Sequence, residues 1–183
     1  VRKRLSRTKG GRLGLYYSPA TVVSLILSDV VGNSLEVIAS GPTTTDHSTF
    51  SDAYGVLARY DLLSATPESV VDYLRRGCHG EVQETPKALA NCFNYIIGDN
   101  RLALEAMTQR AEEMGLTSCI VTAEQTGNTE AVAQLRASEI LNGKYAGHNV
   151  IFIGGETTLK LPSDVGKGGR NQHYALASVL AMK

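Results

Sequence analysis

The sequence predicts an α/β fold, in which a mainly parallel, Rossmann-like sheet is flanked by helices. The main observation is a regular alternation of strand-like and helical segments in the second half of the chain. A β-branched run near the start, residues 21–31, indicates an additional buried strand that ends at Ser28-Asp29. The 183 residues, of which 43% are hydrophobic, suffice for one ordinary domain or for parts of two.

The first half of the chain is predicted to hold this strand, a loop and two helices. The Gly41-Pro42 pair marks the loop that follows the strand. Apolar residues recur at helical spacing over residues 50–58, which predicts the first helix. The second helix is predicted to have Thr66 as its N-cap, Pro67 as its first residue and Gly77 after its end.

Strands and helices alternate in the second half. The predicted strands cover residues 93–98, 117–123 and 149–155, and the predicted helices cover residues 100–115, 129–143 and 171–182. The segment ETTLKL, residues 156–161, is predicted to be a further strand. The polar stretch around residues 142–149 is the best candidate for a domain boundary, which would divide the chain into residues 1–146 and 147–183.

The charge balance and the cysteine content limit the classes of function. Lys and Arg together number 18, as do Asp and Glu, which argues against a dedicated nucleic-acid-binding protein. The basic first 13 residues fit a solvated helix end, with a targeting segment or a nucleic-acid patch as the alternatives. No apolar run approaches the roughly 20 residues of a membrane span. Three cysteines without CxxC spacing indicate a reduced, intracellular setting.

A glycine-rich basic segment precedes the last predicted helix. It contains, in order, Gly166, Lys167, Gly168, Gly169, Arg170 and Asn171. Helix starts leave N–H groups unpaired, glycines let the backbone approach a ligand, and the two cations add charge. This combination predicts a site for a phosphate or carboxylate, and the alternative is a flexible hairpin whose basic residues face water. Neither a P-loop nor a GxGxxG motif occurs, which weakens a standard nucleotide-binding interpretation.

Four other polar clusters follow predicted strands, where ligands bind in open α/β sheets. They are Ser28-Asp29, Ser40-Gly41-Pro42-Thr43, Gly98-Asp99-Asn100-Arg101 and Gly154-Gly155-Glu156-Thr157-Thr158. Asp29 can hold a metal, take a proton or cap the next turn, and Glu156 has the same alternatives. Asn100 can bind a ligand or serve as a helix N-cap. The four histidines are not spaced as zinc ligands, so no metal ligand is assigned.

Three motifs, in this order along the chain, resemble the class II glycerate kinases, the glycerate 2-kinases of the MOFRL family. They are SLILSDVVGNSLEVIASGPTTTD, IIGDNRLALEAM and GGETTLKL followed by GKGGRNQ. The resemblance extends over nearly all of the chain from Lys9 onward. It implies two α/β domains with the active site in the cleft between them. Residues 1–146 would be the C-terminal part of the large domain, and residues 147–183 the N-terminal part of the MOFRL domain.

The resemblance implies transfer of the γ-phosphoryl group of ATP to a hydroxyl of D-glycerate, with a divalent metal such as Mg²⁺. The family's catalytic lysine has no counterpart here, so this piece alone is expected to be inactive. Arg170 and Asp29 are expected to act in catalysis. Substrate or nucleotide is expected to bind Ser40, Gly41, Asn100, Gly155, Glu156, Thr157, Lys167, Gly168, Gly169 and Asn171. The partners are small molecules, without nucleic acid or membrane, and a cytoplasmic location is expected, with a mitochondrial one left open.

The chain departs from the family's pattern at two places, and two other functions stay open. The family has GRNQE where Gln172 is followed here by His173, and Gly-Glu-Ala where this chain has Gly127-Asn128-Thr129. A carboxylate is lost at each place, which bears on metal binding or substrate orientation. The alternative enzyme is a hydroxypyruvate reductase, which needs a nicotinamide site. The other alternative is an inactive shortened form that acts as a binding module.

Overall fold

The computed structural model describes residues 1–161 and 163–183, which form two compact units. The first unit comprises Val1–Ile97 and the second comprises Gly98–Lys183. The α/β class is confirmed, with the described strands divided between two two-stranded sheets instead of forming one sheet. The domain boundary expected between residues 146 and 147 stays a prediction.

The described part of the first unit combines helices with one strand pair. Its elements are α1 (Arg2–Leu5), α2 (Arg12–Tyr16), β1 (Val22–Leu27), α3 (Phe50–Arg59), α4 (Glu68–Cys78) and β2 (Cys92–Gly98), with a 3₁₀ turn at Ile38–Ser40. The core of this unit lies between α3 and α4, and its buried side chains are Phe50, Ala53, Leu57 and Leu74. Thr49 and Asp52 cap the start of α3 by exchanging hydrogen bonds in a capping box. The helix predicted over residues 50–58 is therefore confirmed.

The boundaries of α4 differ from the prediction at both ends. Pro67 is the N-cap in place of Thr66, because the Thr66 hydroxyl donates to the Leu62 carbonyl at 2.7 Å. Gly77 lies inside the helix, which continues to Cys78. A Cβ atom at residue 77 would collide with the Phe50 ring. Glycine at this position therefore serves the packing of α3 against α4 and does not end the helix.

The prediction that β1 is a buried strand is wrong. β1 and β2 pair, and along each strand exposed and partly covered residues alternate. The loop around Thr43 covers the more polar face, since the Thr43 hydroxyl lies 2.9 Å from the Ser24 hydroxyl and donates to Asn94 Oδ1 at 2.5 Å. The exposed residues are all large and apolar: Val23, Leu25, Leu27, Phe93, Tyr95 and Ile97. Because the described chain places nothing over them, β1 is half exposed.

The second unit has the predicted alternation of strands and helices. Its elements are α5 (Asn100–Glu113), β3 (Ser118–Gln125), α6 (Thr129–Leu141), β4 (Val150–Gly155) and α7 (Arg170–Ala181). β3 and β4 pair in parallel, from Ser118 opposite Val150 to Gln125 opposite Gly155. α5 packs against both strands, and α6 packs against α7. The order and type of these five elements agree with the sequence-based prediction.

The further strand predicted over residues 156–161 is absent from the described part of that segment. Thr158 alone forms an isolated bridge, which pairs it with Asn128. The start of α6 takes the hydrogen bonds that a neighbouring strand would otherwise make. The Thr129 hydroxyl donates to Thr157 Oγ1 at 2.9 Å and to the Thr158 carbonyl at 3.0 Å, and the Thr129 N–H donates to the same carbonyl.

Candidate functional site

Three segments of the second unit meet beyond the carboxyl ends of β3 and β4. They are the loop at residues 156–158, the start of α6 and the start of α7. Thr129 is fully buried, and its hydrogen bonds join the start of α6 to the loop. The side chains of Arg170 and His173 connect α7 to the other two segments. The starts of two helices thus surround the place where open α/β sheets bind their ligands.

Arg170 is the first residue of α7, and an ion pair holds its guanidinium. Its Nη1 contacts the Glu156 carboxylate and donates to the Thr157 carbonyl at 3.2 Å. Both charged side chains are about half exposed, at 48% for Arg170 and 54% for Glu156. Exposed ion pairs contribute little stability, so an anion can share or replace the carboxylate at low cost. The structure thereby brings together two residues that were predicted as parts of different clusters.

The glycine-rich segment before α7 lines an open cavity of about 890 Å³. Lys167, Arg170 and Asp164 give this cavity its charged groups, and Leu159, Leu161 and Leu176 give it an apolar part. Gly169 is the N-cap of α7, and no side chain caps the helix start. The first N–H groups of α7 are therefore open to an incoming acceptor. Lys167 and Asn171 are exposed, and their side chains make no hydrogen bond or ion pair with the residues that the structure describes.

His173 lies one turn into α7 and faces α6. Its Nε2 is 3.0 Å from the Glu130 carboxylate, which belongs to the first turn of α6. Asn128 caps that turn, accepting a hydrogen bond from the Ala131 N–H at 3.1 Å. Sequence reasoning singled out His173 as a departure from the family pattern but missed its partner. The two residues are 43 positions apart, and no local motif links them.

Asn100 has a structural contact, and it is not the N-cap of α5. Its amide donates to the Ala123 carbonyl of β3 at 2.6 Å, which ties the start of α5 to the sheet. The N-cap of α5 is Asp99, whose carboxylate accepts from the Leu102 N–H at 2.8 Å. The N-cap alternative for Asn100 is therefore wrong. Its assignment as a ligand-binding residue stays a prediction.

The two glycines at the end of β4 allow close packing. A Cβ atom at Gly154 would collide with the Asn100 amide, and one at Gly155 would collide with the Gln125 backbone. Gly155 also has a φ of +141°, which side chains rarely permit. These contacts explain the glycines without a ligand. The assignment of Gly155 to binding stays a prediction that its position beside Glu156 supports.

In the first unit, Ser40 and Gly41 lie in a turn of left-handed backbone. Ala39, Ser40 and Gly41 have φ values of +50°, +64° and +61°, and non-glycine residues seldom adopt such values. The turn is held by hydrogen bonds from the Gly10 N–H to the Ser40 carbonyl and from the Gly11 N–H to the Gly41 carbonyl. Ser40 is buried beside a cavity of about 260 Å³. Strained backbone that the surroundings hold in place is common at functional sites.

Asp29 is exposed two residues after the end of β1. Its side chain makes no hydrogen bond or ion pair with the described residues. The following turn is closed by Ser28, whose hydroxyl accepts from the Val30 N–H at 3.3 Å. The capping role considered for Asp29 therefore belongs to Ser28. The Asp29 carboxylate remains accessible for a ligand.

A buried network around Asp46 was missed by sequence reasoning. Arg4 is 1% exposed, and its Nη1 donates to the Asp46 carboxylate and to the Thr85 hydroxyl, both at 2.7 Å. Burial opposes the charge on Asp46, but hydrogen bonds from Ser48, Arg4, Lys3 and Thr85 outweigh it and hold the Asp46 pKa far below its usual range. All of these cations and hydroxyls are already paired. The network therefore joins distant parts of the first unit and is not a ligand site.

Among the described residues, no three His, Cys, Asp or Glu side chains lie close enough together to hold a metal ion. None of the described helices combines the length and the apolar character that crossing a membrane requires.

Comparison with known proteins relates the chain to glycerate kinases. Residues 1–75 match the family described as "Domain of unknown function (DUF4147)". The glycerate 2-kinase of Pyrococcus horikoshii is 39% identical over 97% of this chain and 42% of its own length. The D-glycerate 2-kinase of Thermotoga maritima is 36% identical over 100% of this chain and 43% of its own length. The human glycerate kinase is 34% identical over 96% of this chain.

Two solved structures are also similar to this chain. The crystal structure of glycerate kinase from Thermotoga maritima superposes with a TM-score of 0.80 at 36% identity, covering 99% of this chain and 42% of that one. A structure from Pyrococcus horikoshii superposes with a TM-score of 0.74 at 38% identity. The chain thus spans about two-fifths of the length of the relatives it matches. Over nearly its entire length, the chain is similar in sequence and fold to part of these glycerate kinases.

Proposed function

We propose that the chain is part of an ATP-dependent glycerate kinase, which transfers the γ-phosphoryl group of ATP to a hydroxyl of D-glycerate. The observation that carries the proposal is the TM-score of 0.80 against the glycerate kinase of Thermotoga maritima over 99% of this chain. The exposed cationic helix start of the second unit supports it independently. D-glycerate and ATP as partners, and a cytoplasmic location, belong to the same proposal.

The start of α7 offers what phosphoryl transfer requires of a protein. The reaction depends on positioning and on neutralising charge, and less on covalent participation of side chains. Arg170 can contact two oxygens of a carboxylate or phosphate, and the open N–H groups of α7 face the same anion. Lys167 adds a mobile positive charge at the rim of the cavity. Asn171 then orients a hydroxyl of the substrate.

The loop after β4 provides the opposite wall of this site. Glu156 holds Arg170 in place and gives up part of that contact when an anion binds. The Thr157 hydroxyl lies 2.9 Å from the Thr129 hydroxyl, and when Thr129 donates its one hydrogen to it, the Thr157 hydrogen can be donated to a ligand oxygen. Gly168 and Gly169 carry no side chains that would keep the ligand away from the backbone. The loop after β4 and the start of α7 thus combine positive charge, hydrogen-bond donors and an open approach for the ligand.

The divalent metal that the family implies would not be held by a closed set of three protein ligands among the described residues. No group of three His, Cys, Asp or Glu side chains is present there, and Arg170 engages Glu156. Mg²⁺ is commonly held by one or two carboxylates together with substrate phosphates. We therefore assign no residue as a metal ligand and derive no step through the metal.

In the first unit, the proposal assigns Asp29 to catalysis and the Ser40–Gly41 turn to substrate binding. The exposed position of Asp29 beyond β1 supports the first assignment, because an unpaired carboxylate there can accept a proton from a hydroxyl. The strained, buried conformation of Ser40 supports the second. The boundary between residues 146 and 147 is retained as part of this proposal.

The test is a coupled assay on the full-length gene product. D-Glycerate with ATP is compared with hydroxypyruvate and NADH, and product is identified by mass spectrometry. We expect phosphoglycerate that forms only when ATP is present. Reduction of hydroxypyruvate without phosphorylation would replace the kinase by a reductase. Binding of ATP or glycerate without either reaction would indicate a binding module.

A further inference from the structure

We propose that His173 is a positioning residue for Arg170. Its contact with Glu130 fixes the first turn of α7 against α6, so that the Arg170 guanidinium is presented to the anionic group of the substrate. This inference rests on the proposed function of the α7 start as the anion site. It adds a role for a residue at which the chain departs from the pattern of the proteins it resembles.

Arg170 and His173 lie on the same side of α7, since residues three apart on a helix are neighbours. Each is paired with a carboxylate from a different segment. Glu156 lies after β4, and Glu130 lies in the first turn of α6. The first turn of α7 is thereby tied at two points to two separate elements.

The rest of α7 packs against α6. No described residue of α7 is fully buried, and its start has no side-chain cap. Among the described residues, Arg170 and His173 supply the only polar side-chain contacts from α7 to other segments, because the Ser178 hydroxyl donates within the helix to the Tyr174 carbonyl. Without the His173 contact, Arg170 would supply the one polar side-chain contact that orients the helix start, and the same guanidinium would also have to bind the ligand.

Glu130 lies in the first turn of α6, which hydrogen bonds fix to the neighbouring loop. The adjacent Thr129 is fully buried and makes three hydrogen bonds to residues 157 and 158. Arg170 donates to the Thr157 carbonyl, so that the contacts form a closed ring around the site. Within this ring, His173 provides the polar side-chain contact between α6 and α7.

The chemistry of the link predicts the effects of substitution. The imidazole Nε2 can donate to the Glu130 carboxylate whether the ring is neutral or protonated. Gln at residue 173 keeps an N–H donor, Ala removes it, and Glu places a second negative charge beside Glu130. We therefore expect function to fall in the order His173→Gln, His173→Ala, His173→Glu.

The experiment measures kcat and KM for D-glycerate in the full-length gene product. His173→Ala and Glu130→Ala are each expected to raise the KM about two- to fivefold, as the loss of one exposed contact implies. The double variant should be no worse than either single variant, because both remove the same contact. His148→Ala is the matched control, since His148 is exposed and its side chain makes no hydrogen bond or ion pair with a described residue.

A second readout separates this inference from the proposed function. Amide hydrogen exchange over residues 173–176, the first amides of α7 that have a helical acceptor, is expected to quicken equally in His173→Ala and Glu130→Ala, and to stay unchanged in His148→Ala. Quickened exchange in a protein without kinase activity would support the positioning role while the proposed function fails. Unchanged exchange, additive effects of the two variants, or a His173→Glu variant as active as His173→Gln would each overturn the inference.

Discussion

The Phe50 ring fills the space that a side chain at residue 77 would need. Gly77→Ala is therefore expected to lower the free energy of unfolding of the first unit by about 3 kcal/mol or more, through overpacking of α3 against α4. Gly55→Ala is the matched control, because Gly55 is also helical and has open space around its Cβ position. Urea denaturation should show the control to be unchanged or more stable by about 0.5–1 kcal/mol. Equal stabilities of the two variants would contradict the packing role.

Asp29 has a proposed role in catalysis, and its side chain has no structural role in the described part of the chain. Its carboxylate is exposed and has no described partner, so Asp29→Asn should leave the melting temperature nearly unchanged. If it takes a proton in the reaction, kcat of the full-length gene product should fall about a hundredfold or more. The comparison is kcat against thermal unfolding for the same variant. Early unfolding with an unchanged rate per folded molecule would make Asp29 a structural residue.

At the residue scale, the sequence indicated a candidate anion site but not the contacts within it. The run from Gly166 to Asn171 was recognisable because glycines and cations before a helix have a local meaning. The contacts of Glu156, Glu130 and Asp46 were not predicted, because each carboxylate reaches its partner across at least 14 residues. Only the folded chain determines which side chain each carboxylate meets.

The Asp46 network acts at the scale of elements, because it ties α1 to the loops before α3 and before β2. The folded-state pKa of Asp46 lies below the value of about 3.9 for an unfolded chain. The stabilisation is therefore fully present above about pH 4 and is lost as the pH falls towards the folded-state pKa. Asp46→Asn should cost about 3 kcal/mol or more at neutral pH, since it leaves Arg4 buried without its main partner.

The measurement for this network is urea denaturation followed by the amide signals of α3, in the wild type and Asp46→Asn, between neutral pH and pH values of about 3. The stability gap between the two proteins should narrow as the pH falls below about 4, because the wild type alone loses the contribution of Asp46. Asp52→Asn tests specificity, since Asp52 is a capping carboxylate outside the buried network. Parallel curves for the wild type and Asp46→Asn would show that the network does not stabilise the fold through its charge.

Elements with a strong local pattern were predicted correctly, and elements that depend on neighbours were not. α3, α5 and α6 have regular apolar spacing, caps or closing glycines, and all three were found. Residues 156–161 have strand-like composition, but Thr129 takes the hydrogen bonds that would pair them. The end of α4 was placed too early because Gly77 resembles a C-cap glycine, whereas its reason lies in the Phe50 ring.

At the scale of the whole molecule, the sheet of β1 and β2 exposes an apolar face. Leu27 is 76% exposed and Leu25 is 67% exposed, and such contiguous patches favour association. We expect the 183-residue chain to self-associate and to bind a hydrophobic dye. Leu25→Lys should reduce both effects with little loss of stability, while Ile26→Lys, on the covered face, should destabilise the unit. A wild-type chain that is monomeric in analytical ultracentrifugation would contradict this expectation.

The kinetics of Arg170 variants test the central claim most directly. Arg170→Lys and Arg170→Ala are compared in the full-length gene product for kcat/KM with D-glycerate and ATP, alongside thermal unfolding. A planar guanidinium can bind two oxygens, which an ammonium group cannot. Both variants should therefore lose roughly tenfold to over a hundredfold in kcat/KM, as the loss of about 1.5 to 3 kcal/mol implies. Full activity of Arg170→Ala would contradict the assignment of the α7 start as the anion site.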